Sequence, residues 1–183
     1  DELKINRTIH THRSVASILL NRPVDSHKGT YGHLLLAGGS SKMGGAIGLS
    51  GRAALQSGTG IATIFTVAEA KAAVYEHAQS LMCQTSAGTN DYLDEAAAEQ
   101  LLSELSGKSA LVLGPGMGQT EETHVFLTKL LTNSTLPAVL DADALNLLAA
   151  NPALWEKLPQ QTILTPHPGE MKRLVRSDRF PEG

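Results

Sequence analysis

Hydrophobic positions along this chain come in short continuous runs, separated by small-residue loops and by amphipathic stretches. Leu34-Leu35-Leu36 lies in an apolar segment over His33–Ala37, and β-branched Ile61, Thr63, Ile64 and Val67 mark residues 61–67. Further runs fall at Ala110–Leu113, 137–140 and Thr162–Leu164, with a weaker one near 82–86. Continuous runs suit strands covered on both faces, whereas alternating ones suit strands with a wet face. Helical periodicity between them predicts helices over 11–21, 46–56, 69–78, 94–105, 120–131, 144–149, Pro152–Lys157 and from Glu170 onward. Thr11 and Thr120 are candidate N-caps, and Glu121 and Glu122 stand in a first turn, where the helix dipole favours negative charge. Repeated strand, loop and helix predict a mainly parallel sheet with helices on both faces. Residues 177–183 lack apolar periodicity and are expected to fray.

Length and composition narrow the function classes. The 183 residues suit a single α/β domain over 1–183 with a sizeable buried core. Aromatic residues are only 4% of the chain against 17 Gly, so close packing of small residues is expected, not a stacking surface for bases. A net charge of −3 gives no electrostatic footprint for nucleic acid or anionic membrane. Cys83 is the single cysteine, which excludes an internal disulfide and fits a reducing compartment. With no signal region at Asp1-Glu2-Leu3 and no apolar run near the roughly 20 residues of a membrane span, a cytoplasmic protein is expected.

Four loops carry candidate chemistry, each following a predicted strand, where parallel sheets hold their ligands. Gly38-Gly39-Ser40-Ser41-Lys42-Met43-Gly44-Gly45 precedes a helix whose first amides could meet an anion. Its spacing fits neither the dinucleotide fingerprint nor a P-loop, so it is either a ligand cradle or a tight structural turn. Gly114-Pro115-Gly116-Met117-Gly118 is either a rigid turn with ligand-facing amides or a turn that merely needs positive φ. Asp141-Ala142-Asp143 carries two carboxylates that could hold Mg²⁺ through water or accept from ligand hydroxyls, or Asp143 could simply cap a helix from Ala144; one functional and one capping carboxylate are expected, with the assignment between them open. In Thr165-Pro166-His167-Pro168-Gly169-Glu170, two prolines hold a histidine in place, which favours a functional His167. His10, His12, His77 and His124 read as structural or solvated, and Cys83 as a buried small hydrophobe. Lys28 and Tyr31 precede the first strand, at its amino end.

In their order, these motifs resemble the dehydratase domain that repairs hydrated NADH and NADPH. The matching residues are His27-Lys28-Gly29-x-x-Gly32, Ala37-Gly38-Gly39-Ser40, Met43-Gly44-Gly45-Ala46, Gly114-Pro115-Gly116-Met117-Gly118, Leu140-Asp141-Ala142-Asp143-Ala144-Leu145 and Leu164-Thr165-Pro166-His167-Pro168-Gly169-Glu170. The resemblance implies a ribokinase-like three-layer α/β/α fold with a mainly parallel central sheet. It implies a hydro-lyase using ADP or ATP, with Mg²⁺, on hydrated NADH or NADPH. The nucleotide would phosphorylate the ring hydroxyl, and phosphate, a better leaving group than hydroxide, would then depart. Carried over by position, Ala46, Gly116 and His167 would contact the hydrated dinucleotide, with Gly114, Asp141 and Glu170 as weaker candidates. Family members often assemble as tetramers, and some carry an epimerase domain upstream.

The family domain runs on past the His167 loop to further strands, a Lys-Gly strand end for ADP phosphates and a late glycine-rich Gly-Asp motif with the catalytic aspartate. No such motif precedes Gly183. The chain therefore reads as a fragment that carries most of the substrate side, lacks the last strands and helices, and contains no nameable catalytic base. Two other readings are a hydroxymethylpyrimidine or hydroxyethylthiazole type kinase on the same fold, and a non-catalytic dinucleotide-binding remnant. The His167 loop with its two prolines speaks against the kinase.

Overall fold

The computed structural model describes residues 11–16, 22–77, 79–88 and 91–175. Six strands are seen: β1 (His33–Ala37), β2 (Ile61–Thr66), β3 (Met82–Thr85), β4 (Ala110–Leu113), β5 (Ala138–Leu140) and β6 (Thr162–Leu164). They form one sheet in the order β3-β2-β1-β4-β5-β6, and every neighbouring pair is parallel. The seven helices among the described residues are α1 (His12–Ala16), α2 (Gly44–Gln56), α3 (Lys71–His77), α4 (Glu95–Ser103), α5 (Glu121–Asn133), α6 (Asp143–Ala150) and α7 (Pro168–Val175). None of them is long and apolar enough to cross a membrane.

The apolar run of β1 is explained by its central place. Leu36 packs with Ile64 of β2, Ile47 of α2 and Val74 of α3 on one face. Leu35 joins Phe65, Leu111, Phe126, Leu130, Leu140 and Leu145 in a larger core on the other, beneath α4, α5 and α6. Successive strand residues point to opposite faces, so a strand with helices on both sides needs no polar alternation. The three-layer arrangement expected from the sequence is present.

Element ends differ from expectation in ways that local bonding explains. The helix expected over 94–105 stops at Ser103, with Asp94 as its N-cap accepting from Ala97 N at 2.9 Å. The segment expected as one helix over 69–78 opens as a 3₁₀ turn, Ala68–Ala70, before α3. Pro152–Lys157 is also 3₁₀, capped by Asn151, whose amide also bonds His124. Thr120 caps α5 as expected. Cys83, expected to be buried, is only partly so. Of the helix expected over 11–21, only His12–Ala16 falls within the described residues, and 177–183 lies outside them.

The 3₁₀ turn Lys28–Tyr31 sits where Gly60 N donates to Tyr31 O and Ile61 N to Gly32 O. Lys28 and Tyr31 are therefore at the amino edge of the sheet, as expected. His33, just beyond, bonds the Thr63 hydroxyl through Nε2 at 2.8 Å. Burial, and next the charge of Lys108, hold the His33 pKa below its ordinary value. The unfolded chain therefore binds this proton more readily than the folded one. Stability should be intact above about pH 6.5 and fall as pH drops from there toward the lowered folded pKa. Chemical denaturation across that window should show the loss, and His33→Asn should flatten it; an unchanged slope would remove His33 as its source.

Candidate functional site

From β1 the chain winds outward to β2 and β3, then crosses back to build β4, β5 and β6 on the other side. The strand order thus reverses between β1 and β4, and the loops leaving those two strands diverge to opposite faces of the sheet. Open parallel sheets bind ligands in the crevice such a reversal leaves at the carboxyl edge. A cleft of about 350 Å³ lies there. Met43, Ala46, Leu49 and Ser50 form its α2 wall, and Pro115 and Gly116 come from the turn after β4. Asp141, Ala142, Asp143 and Asn146 come from the β5 end and α6, and Glu170 from α7.

Backbone hydrogen bonds carry the sheet ladder past the strand ends and fix these loops. Gly39 N donates to Pro115 O at 2.8 Å, Gly114 N to Ala37 O at 3.1 Å, Asp141 N to Leu113 O at 3.0 Å and Thr165 N to Leu140 O at 3.2 Å. The loops approach so closely that two positions admit only glycine. At Gly114 (φ +119°) a Cβ would lie 2.0 Å from Asp141 O, and at Gly116 (φ +64°) one would lie 2.5 Å from Met43 O and 3.1 Å from Ala46 Cβ. Ala46 and Gly116, from separate motifs, thus abut each other and line the same cleft. The Gly116 N–H has no acceptor among the described residues, and α2 opens at Met43 without a side-chain cap. Uncapped first-turn amides and a free loop N–H suit a partial or full negative charge.

The two aspartates resolve differently from expectation. Asp143 does not cap a helix starting at Ala144; it is itself the first residue of α6, and Ala142 is the N-cap. Its carboxylate reaches back across the cleft floor, accepting from Gly118 N and Gln119 Nε2, both at 2.8 Å. Asp143 therefore ties the β4 turn to α6. Asp141 Oδ1 accepts from the Thr165 hydroxyl at 2.8 Å and so joins the β5 and β6 ends. Between them Ala142 takes φ +49°, the one non-glycine in the left-handed region among the described residues. Such a conformation costs about 1–3 kcal/mol and persists where its surroundings impose it. Here Leu145 N and Asn146 N both donate to Ala142 O.

His167 is held by more than its prolines. Its Nδ1 accepts from Gly169 N at 3.0 Å and Glu170 N at 3.4 Å, while Glu170 Oε2 accepts from His167 N at 3.0 Å. This is a reciprocal capping box with histidine in the place of Ser or Thr, and it starts α7 at Pro168, not at Glu170. Because Nδ1 accepts, the proton of the neutral ring sits on Nε2, which lies 3.3 Å from Glu170 Oε1. The Glu170 side chain is 7% exposed and that of His167 63%. Glu170 lines the cleft; His167 is not among the lining residues and reaches the cleft only through its contacts with Glu170. The x-x-Glu spacing after His167 was the available signal for this box. Asn146, which also lines the cleft, escaped the sequence reading; its place one helical turn after Asp143 was the clue.

No group of three His, Cys, Asp or Glu able to hold a metal occurs among the described residues. The site offers amides and oriented carboxylates instead. Replacing Asp143 with Ala should lower unfolding stability by about 1–3 kcal/mol, because Gly118 N–H loses its partner in a partly buried turn. Ala142→Gly should raise stability by roughly 1 kcal/mol by relieving the positive φ. Urea titration checks both, and a destabilised Ala142→Gly would mean that the backbone there is not strained.

A family model described as NAD(P)H-hydrate dehydratase matches residues 34–179. The chain is 39% identical over 175 residues to a bifunctional NAD(P)H-hydrate repair enzyme of Coxiella burnetii, covering 92% of this chain and 33% of that protein. It is 34% identical over 167 residues to an ADP-dependent (S)-NAD(P)H-hydrate dehydratase of Lactiplantibacillus plantarum, covering 90% and 56%. The crystal structure of the Bacillus subtilis ADP/ATP-dependent NAD(P)H-hydrate dehydratase, co-crystallised with ATP and Mg²⁺, superposes with a TM-score of 0.70 at 31% identity, covering 91% of this chain and 55% of that one. The chain thus spans about a third of the bifunctional relatives and just over half of the stand-alone ones. With its six-stranded parallel sheet and a match running from β1 through α7, the chain belongs to the NAD(P)H-hydrate dehydratase family.

Proposed function

We propose that the protein of which this chain forms part dehydrates hydrated NADH and NADPH with ADP or ATP, and that the cleft between β1 and β4 holds the hydrated dinucleotide. The observation that carries the reading is the convergence of Ala46 and Glu170, from the first turns of two helices, with Gly116 and Asp141, from two strand-end loops, on one crevice at the strand-order reversal. Gly114 supports it from beneath by letting the β5 end approach, and His167 by orienting Glu170. In this reading the first turn of α2 and the Gly116 N–H receive the electron-rich parts of the substrate.

The nucleotide supplies a phosphoryl group that makes the ring hydroxyl a good leaving group. The residues of this chain bind and orient the dinucleotide and keep its ring beside the rigid β4 turn. The carboxylates here do not fit a protein-held Mg²⁺, because Asp143 uses both oxygens on N–H donors, Glu170 is turned to His167 and Asp141 is engaged by Thr165. The ion belongs instead with the nucleotide phosphates. In this reading the nucleotide is held by parts of the family domain other than the residues that line this cleft.

Incubating the full-length protein with hydrated NADH and ADP or ATP should restore NADH absorbance. Phosphorylation of a pyrimidine or thiazole alcohol with no such recovery would replace this reading with the kinase. Ala46→Leu, which adds bulk facing Gly116, should weaken binding of the hydrated dinucleotide about tenfold or more with little change in melting temperature. Unaltered affinity would move the substrate out of this cleft.

A further inference from the structure

The cleft poses an electrostatic problem. Asp141, Asp143 and Glu170 all line it: the Thr165 hydroxyl donates to the first, Gly118 N and Gln119 Nε2 to the second and His167 N to the third, with His167 Nε2 3.3 Å from its other oxygen. A pyridine dinucleotide brings a diphosphate of its own. Hydrogen bonds orient the carboxylates but leave their charge in place, so a phosphate here needs a nearby cation.

Arg173 lies on α7, three residues after Glu170 and so on the same helix face. Its Nε donates to Asn146 Oδ1 at 2.8 Å, and Asn146 lines the cleft. Its Nη1 lies 3.9 Å from where a Cβ on Gly169 would sit. The guanidinium is thus held between α6 and the start of α7, at the rim of the site. Despite the acidic surroundings, it forms no ion pair with a described residue, and its two Nη groups have no hydrogen-bond acceptor there. One edge of the group is used for positioning and the other is open.

We infer that Arg173 is a binding residue of this cleft, donating through its Nη groups to a phosphate of the dinucleotide. The inference rests on the substrate reading proposed above. A planar guanidinium matches phosphate oxygens with paired N–H donors, and the Asn146 bond restricts the side chain before the ligand arrives. The phosphate is either one of the diphosphate, present in both cofactors, or the 2′-phosphate, present only in the NADPH form.

Isothermal titration of the full-length protein and its Arg173→Gln variant with hydrated NADH and with hydrated NADPH, at two salt concentrations, tests this. The variant should bind about tenfold more weakly or worse, with a flatter salt dependence than the native protein. Weakening of both ligands identifies the diphosphate; weakening of the NADPH form alone identifies the 2′-phosphate. Arg173→Lys should fall between, keeping charge but losing the Asn146 bond and the paired donors. Native-like affinity of Arg173→Gln for both ligands would overturn the inference and leave the substrate reading standing. So would weaker binding with an unchanged salt dependence and a lowered melting temperature, the signature of a mere tie between α6 and α7. If the native protein binds neither ligand, the substrate reading fails, and the role of Arg173 fails with it.

Discussion

The backbone hydrogen-bond ladder that continues beyond the strand ends is the constraint on which the site depends. Gly39 to Pro115, Gly114 to Ala37, Asp141 to Leu113 and Thr165 to Leu140 extend the sheet by one or two residues into its loops. Loops normally carry the mobility of a domain, but these inherit the rigidity of the strands they leave. The cost is spacing. With carbonyl and amide groups in contact, no side chain fits at Gly114 or Gly116, and positive φ is needed there as well. The glycines in these motifs are therefore a consequence of bringing backbones together, and the Gly116 N–H without an acceptor among the described residues lies in the same crowded turn.

Acidic side chains complete the framework, two by joining separate loops and one by fixing a helix start. Asp143 ties α6 to the turn after β4, Asp141 ties β5 to β6, and Glu170 closes the box that starts α7. Each does so through charge-assisted hydrogen bonds, which are stronger than neutral ones and shorter in reach. Carboxylates around the cleft proposed for an anionic dinucleotide look misplaced until their bonding is considered. They serve as braces, and their charge makes a cation at the rim useful. Ala142 sits between the two aspartates, and its carbonyl accepts from Leu145 N and Asn146 N while its φ is positive.

Much of this was legible in the sequence. Continuous apolar runs marked the central strands because both faces of a parallel sheet are covered, and small-residue loops at strand ends marked the cleft because close backbone approach leaves a compositional trace. The ordered motifs identified the family, since loops shaped by one ligand site keep a common pattern. Helix ends were less legible. Asp94 and Thr120 cap by the familiar Asp and Thr chemistry, but histidine is a rare cap, so the role of His167 in starting α7 did not show.

Local pattern determined the parallel α/β architecture and the carboxyl-edge location of the candidate loops, while Ala46 and Gly116 became candidates through the family resemblance of the motifs that hold them. Tertiary structure decided what partners each polar group takes. Whether Asp143 caps its own helix or braces a turn 25 residues away depends on the β4–β5 register, and no neighbour in sequence encodes that. The same holds for Arg173 meeting Asn146 across 27 residues. Propensity and capping act over a few residues, whereas hydrogen bonds between loops exist only once the sheet has set their distance.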